Sequence, residues 1–207
     1  MIQCRNLEFG YDSQKLIQVS HFQVGHSEKI WIQGPSGSGK STFLSLLAGI
    51  TSAQKGQITV KDKDLTKLGS DERALFRSEN IGYVHQENHF IDHWTVEQNL
   101  NLFSAVPLKE IKDSLQLLGL SEKLITKKIA HLSGGERQRM SLVKVLLEKQ
   151  SVLLLDEPSS HLDDASFEKL KTILTTRLNE RTLILVSHDS RFERSGLKKI
   201  NFKEINQ

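Results

Sequence analysis

The sequence predicts an α/β fold: a mainly parallel sheet covered by helices on both faces, an antiparallel β part at the N-terminus and a helical subdomain inserted in the middle. Three observations carry this. Short apolar runs that read as strands alternate with segments of helical spacing, the pattern of a parallel sheet wrapped by helices. One such strand, Lys29 to Gln33, runs directly into the loop Gly34-Pro35-Ser36-Gly37-Ser38-Gly39 and then into helical spacing. Between Glu87 and Ala130 the glycines thin out and strand patterns vanish.

In chain order, Met1 to Phe9 and Leu16 to Val24 alternate loosely and read as two strands joined by a turn at Tyr11-Asp12-Ser13. After the glycine-rich loop, Lys40 to Ala48 places Phe43, Leu44, Leu46 and Leu47 at helical spacing, and Gly49 suits a helix C-terminus. Gln57 to Val60 and Ile81 to His85 read as strands. Asp71 to Ser78 reads as a helix with two acids at its positive end. Three helices are expected in the insert: Thr95 to Ser104, Pro107 to Leu118 and Ser121 to Lys127. Pro107 suits a first helical turn and Gly119 a stop. A helix (Gly134 to Glu148), a strand (Val152 to Leu155), a helix (Ala165 to Leu178), a strand (Thr182 to Val186) and a closing strand (Lys198 to Phe202) complete the chain. The expected organisation is one domain over 1–207, with a core of 1–86 and 131–207 and a helical subdomain over about 87–130.

Composition bounds the function. At 207 residues the chain suits one well-cored domain. Its apolar runs are far below the roughly 18 residues a transmembrane helix needs, and Met1 to Gly10 has no apolar signal segment. Cys4 is the single cysteine, which excludes a disulfide framework within the chain and suits a reducing cytoplasm. The formal charge of +3 is spread over interspersed Lys and Glu, so no nucleic-acid partner is expected.

Two motifs carry chemistry. Gly34-Pro35-Ser36-Gly37-Ser38-Gly39-Lys40-Ser41, followed by Thr42, fits G-x-x-x-x-G-K-[ST]. Its glycines let backbone N–H groups turn inward around phosphate oxygens, and the following helix adds its positive end. Lys40 suits the outer phosphates and the Ser41 hydroxyl suits Mg²⁺. Val152-Leu153-Leu154-Leu155-Asp156-Glu157 is an apolar strand ending in two acids. Side by side in a crevice these repel unless a cation compensates, and Mg²⁺ with Lys40 does so. Asp156 is then the metal-side acid and Glu157 the general base facing the attacking water. Together the two motifs define a P-loop NTPase and no more.

A third motif narrows this. Leu132-Ser133-Gly134-Gly135-Glu136-Arg137-Gln138-Arg139 resembles the LSGGQ-type signature of ATP-binding-cassette proteins. Physically it is a helix N-terminus with a serine and two glycines, a second phosphate-binding surface. The resemblance runs from Met1 to about Asp189. It implies a cytoplasmic ATPase, peripheral on the inner face of the membrane, that uses ATP and Mg²⁺. It also implies a head-to-tail dimer, with itself or a similar second ATPase, and a separate membrane permease as partner. The further family motifs match residue by residue. Gln86 matches the Q-loop, a Mg²⁺ and water contact. Ser159-Ser160-His161-Leu162-Asp163 matches the D-loop, which crosses the dimer with Asp163. His188 matches the switch histidine at the γ-phosphate, and Tyr11 matches the aromatic that stacks on adenine. Nucleotide contacts are thus expected from Tyr11, from Gly34 to Thr42, from Ser133, Gly134, Gly135 and from Asp163. Catalytic work is expected from Lys40, Gln86, Glu157 and His188, and metal contact from Ser41, Gln86 and Asp156.

Plainer readings stand beside some of these. Tyr11 also fits a half-buried aromatic at a strand end. Ser187, His188 and Asp189 share the composition of a hydrolase triad, but adjacent residues cannot form that geometry. His85, His89 and His93 have helical metal-site spacing, yet His85 ends a strand, so the spacing reads as accidental. Cys4 reads as an inert small hydrophobe, Trp31 as core, and Arg137 and Arg139 as packing and surface pairs. Leu75-Phe76-Arg77-Ser78-Glu79-Asn80-Ile81-Gly82-Tyr83-Val84-His85-Gln86 resembles the same segment of the lipoprotein-releasing and macrolide-exporter branch, which implies export or transmembrane force transmission. Departures are His85, where that branch has Phe, and Met140 to Leu146, which replaces the usual Ala-Arg-Ala-Leu run. The alternative is an ATP-binding-cassette protein that acts as a nucleotide switch on a non-transport partner.

Overall fold

A computed structural model describes residues 1–207 apart from 12–13, 86–89, 103–104, 161 and 179. The chain divides into two compact units. The first comprises Met1–Tyr83, Gln150–Glu157 and Asn179–Gln207, and the second Val84–Lys149 and Pro158–Leu178.

The first unit contains two sheets. The antiparallel one is built from β1 (Ile2–Tyr11), β2 (Gln14–Val24), β4 (Lys55–Val60) and the two-residue β5 (Lys63–Asp64), in the order β2-β1-β4-β5. Alternation along β1 sends Ile2, Cys4, Leu7 and Phe9 inward. The pairing of β1 with β4 slips between Arg5 and Glu8. Asn6 there has φ +47°, and Gly56 has φ +88°. A Cβ on Gly56 would stand 2.2 Å from the Asn6 carbonyl oxygen, so the bulge demands glycine. Cys4 is buried, and desolvation pushes its thiol up to about 12, matching an inert small hydrophobe.

The second sheet has the order β6-β7-β8-β3-β9: β6 (Ile81–Val84), β7 (Val152–Asp156), β8 (Thr182–Val186), β3 (Lys29–Gln33) and β9 (Lys198–Asn201). Pairings β7–β8, β8–β3 and β3–β9 are all parallel. Every residue of β7 and β8 is buried, as continuous apolar runs require when both faces are covered. Helix α1 (Lys40–Leu47) buries Phe43, Leu44, Leu46 and Leu47 in the unit's core with Ile32, Leu154 and Ile184. Its C-terminus is followed by Gly49 at φ +65°, as expected. Phe43 meets Phe22 at 5.3 Å and Phe202 at 5.8 Å between ring centroids. The closing strand is shorter than expected: Phe202 opens a short helix, α7 (Phe202–Ile205), whose apolar residues pack into the same core. Helix α2 (Ser70–Asn80) extends the expected segment by a residue or two at each end, with Glu72 reaching back to the Gly69 N–H at 2.8 Å.

The second unit holds α3 (Val96–Leu100), α4 (Leu108–Leu117), α5 (Gly134–Leu147) and α6 (Asp164–Thr172). Helices α5 and α6 thus join the residues expected to form the helical insert. Three expectations are corrected here. Helix α3 ends at Leu100, because Asn101 turns its side chain onto the Glu97 carbonyl and accepts the Val106 N–H at 2.6 Å. Ser121 to Lys127 holds only a single 3₁₀ turn, Glu122–Leu124. The carbonyls of Ile125 and Lys127 accept the N–H groups of Glu97 and Val96, a tertiary pairing that a helix there would forfeit. The helix expected to reach Leu178 is regular only to Thr172 and widens to a π-helical turn over Ile173–Arg177, where the Thr175 and Thr176 hydroxyls donate back to carbonyls. Pro107 sits at the N-cap of α4, one place before its first turn, and Gly119 has φ +68°.

Candidate active site

The phosphate loop bridges the end of β3 and the start of α1. Gly37 and Gly39 have φ +75° and +98°, conformations open to glycine, and a Cβ on Gly39 would press within 3.0–3.4 Å of Ile17 and Leu16. Positive-φ glycines flanking Ser38 turn the backbone into the concave form that suits an anion. The Ser38 hydroxyl donates to the Pro35 carbonyl at 2.8 Å. Lys40 is buried, and its Nζ donates to the carbonyls of Gly34 and Pro35, both at 2.8 Å. Burial lowers its pKa, opposed by the attraction of Glu157 and Asp156.

Both acids lie at the end of β7. Asp156 Oδ1 accepts the Ser41 hydroxyl at 3.0 Å. Burial raises the Asp156 pKa, resisted by Ser41 and Lys40 and reinforced by the neighbouring Glu157. A buried carboxylate held above its ordinary range is one that a cation would relieve. Ser41 and Asp156 offer hard oxygen donors side by side, so this pair fits Mg²⁺.

Glu157 takes the left-handed φ of +47° and donates its N–H to the Val186 carbonyl at 2.9 Å. The carboxylate is thereby turned toward the end of β8. Oε2 accepts the Ser187 hydroxyl at 2.7 Å, Oε1 meets His188 Nδ1 at 2.9 Å, and the His188 N–H lies 3.2 Å from Oε1 and 3.4 Å from Oε2. The three adjacent residues Ser187, His188 and Asp189 form no triad. Ser187 and His188 instead contact Glu157, while Asp189 donates its N–H to the Ser187 hydroxyl, an arrangement their order in the chain did not reveal. Trp31, buried as expected, also donates its indole N–H to the Ser187 carbonyl at 3.1 Å. Beside His188, a pocket of about 430 Å³ is lined by Gln33, Gly34, Pro35, Asn201 and Lys203.

Tyr11 closes β1 and is 59% exposed, its ring edge against Phe9 at 5.0 Å.

The remaining expected site residues belong to the second unit. Ser133 caps α5 in a capping box: its hydroxyl accepts the Glu136 N–H at 3.2 Å and Glu136 accepts the Ser133 N–H at 2.8 Å. Among the described residues, a Cβ on Gly134 would meet nothing within 4 Å, and one on Gly135 would meet Arg139 at 3.6 Å. Asp163 caps α6, accepting the Ser166 N–H at 2.7 Å, and that bonding lowers its pKa. Arg137 pairs with Asp92, a surface pair as expected. Gln86, His89 and His161 lie outside the described residues.

The parallel sheet, the phosphate loop at the end of β3 and the two acids beside it at the end of β7 define a P-loop nucleoside triphosphatase. Residues 17–160 match the family described as ABC transporter, and the chain belongs to that family as an ATP-binding, ATP-hydrolysing transporter subunit. It is 32% identical over 198 residues to the lipoprotein-releasing system ATP-binding protein LolD of Wigglesworthia glossinidia brevipalpis, across 90% of this chain and 86% of the relative. It is 34% identical to the thiamine import ATP-binding protein ThiQ of Photorhabdus laumondii subsp. laumondii, across 91% and 80%. Among solved structures it is similar to a dimeric ATP-binding cassette in a post-hydrolysis state bound to ADP and Pi, with a TM-score of 0.85, 25% identity and coverage of 97% and 94%. No helix among the described residues is long and apolar enough to cross a membrane.

Proposed function

We propose that this chain powers a permease carried on a separate polypeptide, working from the inner face of the membrane as an ATP-bridged head-to-tail dimer. The mode of work is export or transmembrane force transmission, of the kind the name of its lipoprotein-releasing relatives describes. The observation that carries the reading is the convergence on one sheet edge of Lys40, Ser41, Asp156, Glu157 and His188, four of them tied pairwise by hydrogen bonds.

The phosphate loop, Gly34 to Thr42, cradles the phosphates through its N–H groups, and Lys40 neutralises the outer oxygens. Ser41 and Asp156 would hold Mg²⁺, with Gln86 as a further contact, and a bound ion would supply charge neutralisation at the phosphate oxygens. Tyr11 stacks on the adenine. Glu157 accepts a proton from the attacking water as its oxygen bonds to the γ-phosphorus and the bond to ADP breaks, giving ADP and phosphate. His188 holds the γ-phosphate. Ser133, Gly134 and Gly135, with Asp163, meet the ATP held by the opposite chain. ATP then cross-links the dimer, and its hydrolysis releases that link to drive the permease.

The test uses Glu157→Gln. Removing a general base lowers kcat by about 10²- to 10⁴-fold. The variant is expected to bind ATP, turn it over slowly and elute as a dimer with ATP. In detergent-solubilised membranes it is expected to co-purify with a permease. Wild-type turnover would remove Glu157 from its role, and recovery with soluble partners alone would favour the nucleotide-switch reading.

A further inference from the structure

We propose that Ser187 is a positioning residue for Glu157: it anchors carboxylate oxygen Oε2 so that Oε1 faces the attacking water. This rests on the assignment of Glu157 as general base.

Ser187 is completely buried. Its backbone is pinned on both sides by β3: its N–H donates to the Ile32 carbonyl at 3.2 Å, and its carbonyl accepts the Trp31 indole N–H at 3.1 Å. Its hydroxyl accepts the Asp189 N–H at 3.1 Å, which turns the single hydroxyl proton toward Glu157 Oε2 at 2.7 Å. A hydrogen bond to a charged acceptor from a donor that cannot move is strong and directional. Glu157 needs such a fixture, because its backbone holds a left-handed φ rare for a residue with a side chain.

The partner on the other oxygen is of a different kind. The His188 side chain that meets Oε1 is 65% exposed, whereas the Glu157 side chain it touches is 9% exposed. When His188 turns to a γ-phosphate, its ring leaves Oε1, which keeps the His188 backbone N–H at 3.2 Å, and Ser187 keeps Oε2. The carboxylate then cannot swing after the histidine, and Oε1 stays aimed. Trp31 acts one step further back, holding the Ser187 carbonyl while its ring packs on Phe192 at 5.8 Å.

Steady-state ATPase assays of the full chain test this with Ser187→Ala, Ser187→Thr, Ser187→Cys, Glu157→Gln and the Glu157→Gln/Ser187→Ala pair. Loss of one hydrogen bond to a charged group lowers kcat by about 10- to 100-fold. Ser187→Ala should show that loss with KM for ATP within about twofold, since among the described residues the hydrogen bonds of Ser187 go to Ile32, Trp31, Glu157 and Asp189 rather than to the phosphate loop. Ser187→Thr, which keeps the hydroxyl, should restore most of kcat. Ser187→Cys, close in size with a weaker donor, should fall between. In the Glu157→Gln background Ser187→Ala should add little, because the two act as one unit. If Ser187→Ala or Ser187→Cys turns over like wild type while Glu157→Gln is slow, the positioning role is wrong and the base assignment stands. If Glu157→Gln itself turns over like wild type, the base assignment fails first. A raised KM at constant kcat would make Ser187 part of nucleotide binding and overturn the proposal.

Discussion

The Ser41 hydroxyl donates to Asp156 Oδ1 across 3.0 Å, joining the first turn of α1 to the last residue of β7, 115 positions further along the chain. The bond lies at the parallel sheet's edge and brings two hard oxygen donors to one point.

Ser41→Ala should therefore weaken Mg²⁺-dependent ATP binding by about 10- to 100-fold, the range seen when a group supporting a metal site is removed. Binding of ATP without Mg²⁺ should change little, and Ser41→Thr should retain the dependence. Nucleotide titrations with and without the ion measure this directly. Equal Mg²⁺ dependence in Ser41→Ala and wild type would remove Ser41 from the metal site.

Tyr11 exposes a large aromatic face at the end of β1. Base–aromatic stacking is worth about 1–3 kcal/mol by alanine substitution. Tyr11→Ala should raise the Kd for ATP by about 5- to 150-fold and leave the melting temperature unchanged, since the side chain adds little to the core. Tyr11→Trp should bind at least as well as wild type. If Tyr11→Ala binds ATP normally, the base is held elsewhere.

Gly56 tests the fold rather than the chemistry. A Cβ there would stand 2.2 Å from the Asn6 carbonyl oxygen, a backbone atom, at φ +88°. The left-handed conformation alone costs about 1–2 kcal/mol, and the β1–β4 bulge must also open. Gly56→Ala should destabilise by more than about 3 kcal/mol in denaturant unfolding. A loss under about 1 kcal/mol would mean the bulge relaxes freely.

Much of the site was legible in the sequence because its chemistry is local. The residues from Gly34 to Thr42 are contiguous, so their glycines, lysine and serine declare a phosphate loop before any contact is known. Asp156 and Glu157 end an unbroken apolar run, and Ser133-Gly134-Gly135 opens a helix. In each case a short window holds both the structural context and the reactive groups. The buried strands β3, β7 and β8 were equally plain, since their apolar runs are continuous.

Tertiary structure decided the rest. The spacing of residues 121–127 suited a helix as well as a turn, and carbonyls paired with Val96 and Glu97 chose the turn. Threonine hydroxyls and side-chain bonds at Asn101 ended helices that periodicity alone would extend. Trp31 read as core and Ser187 as part of a triad that could not form. Their joint hold on Glu157 depends on β3 lying beside β8, which brings Trp31 to a residue 156 positions away. A local pattern reports what each residue prefers. Which distant group satisfies a buried hydroxyl or indole is settled only when the sheet assembles and removes water from both.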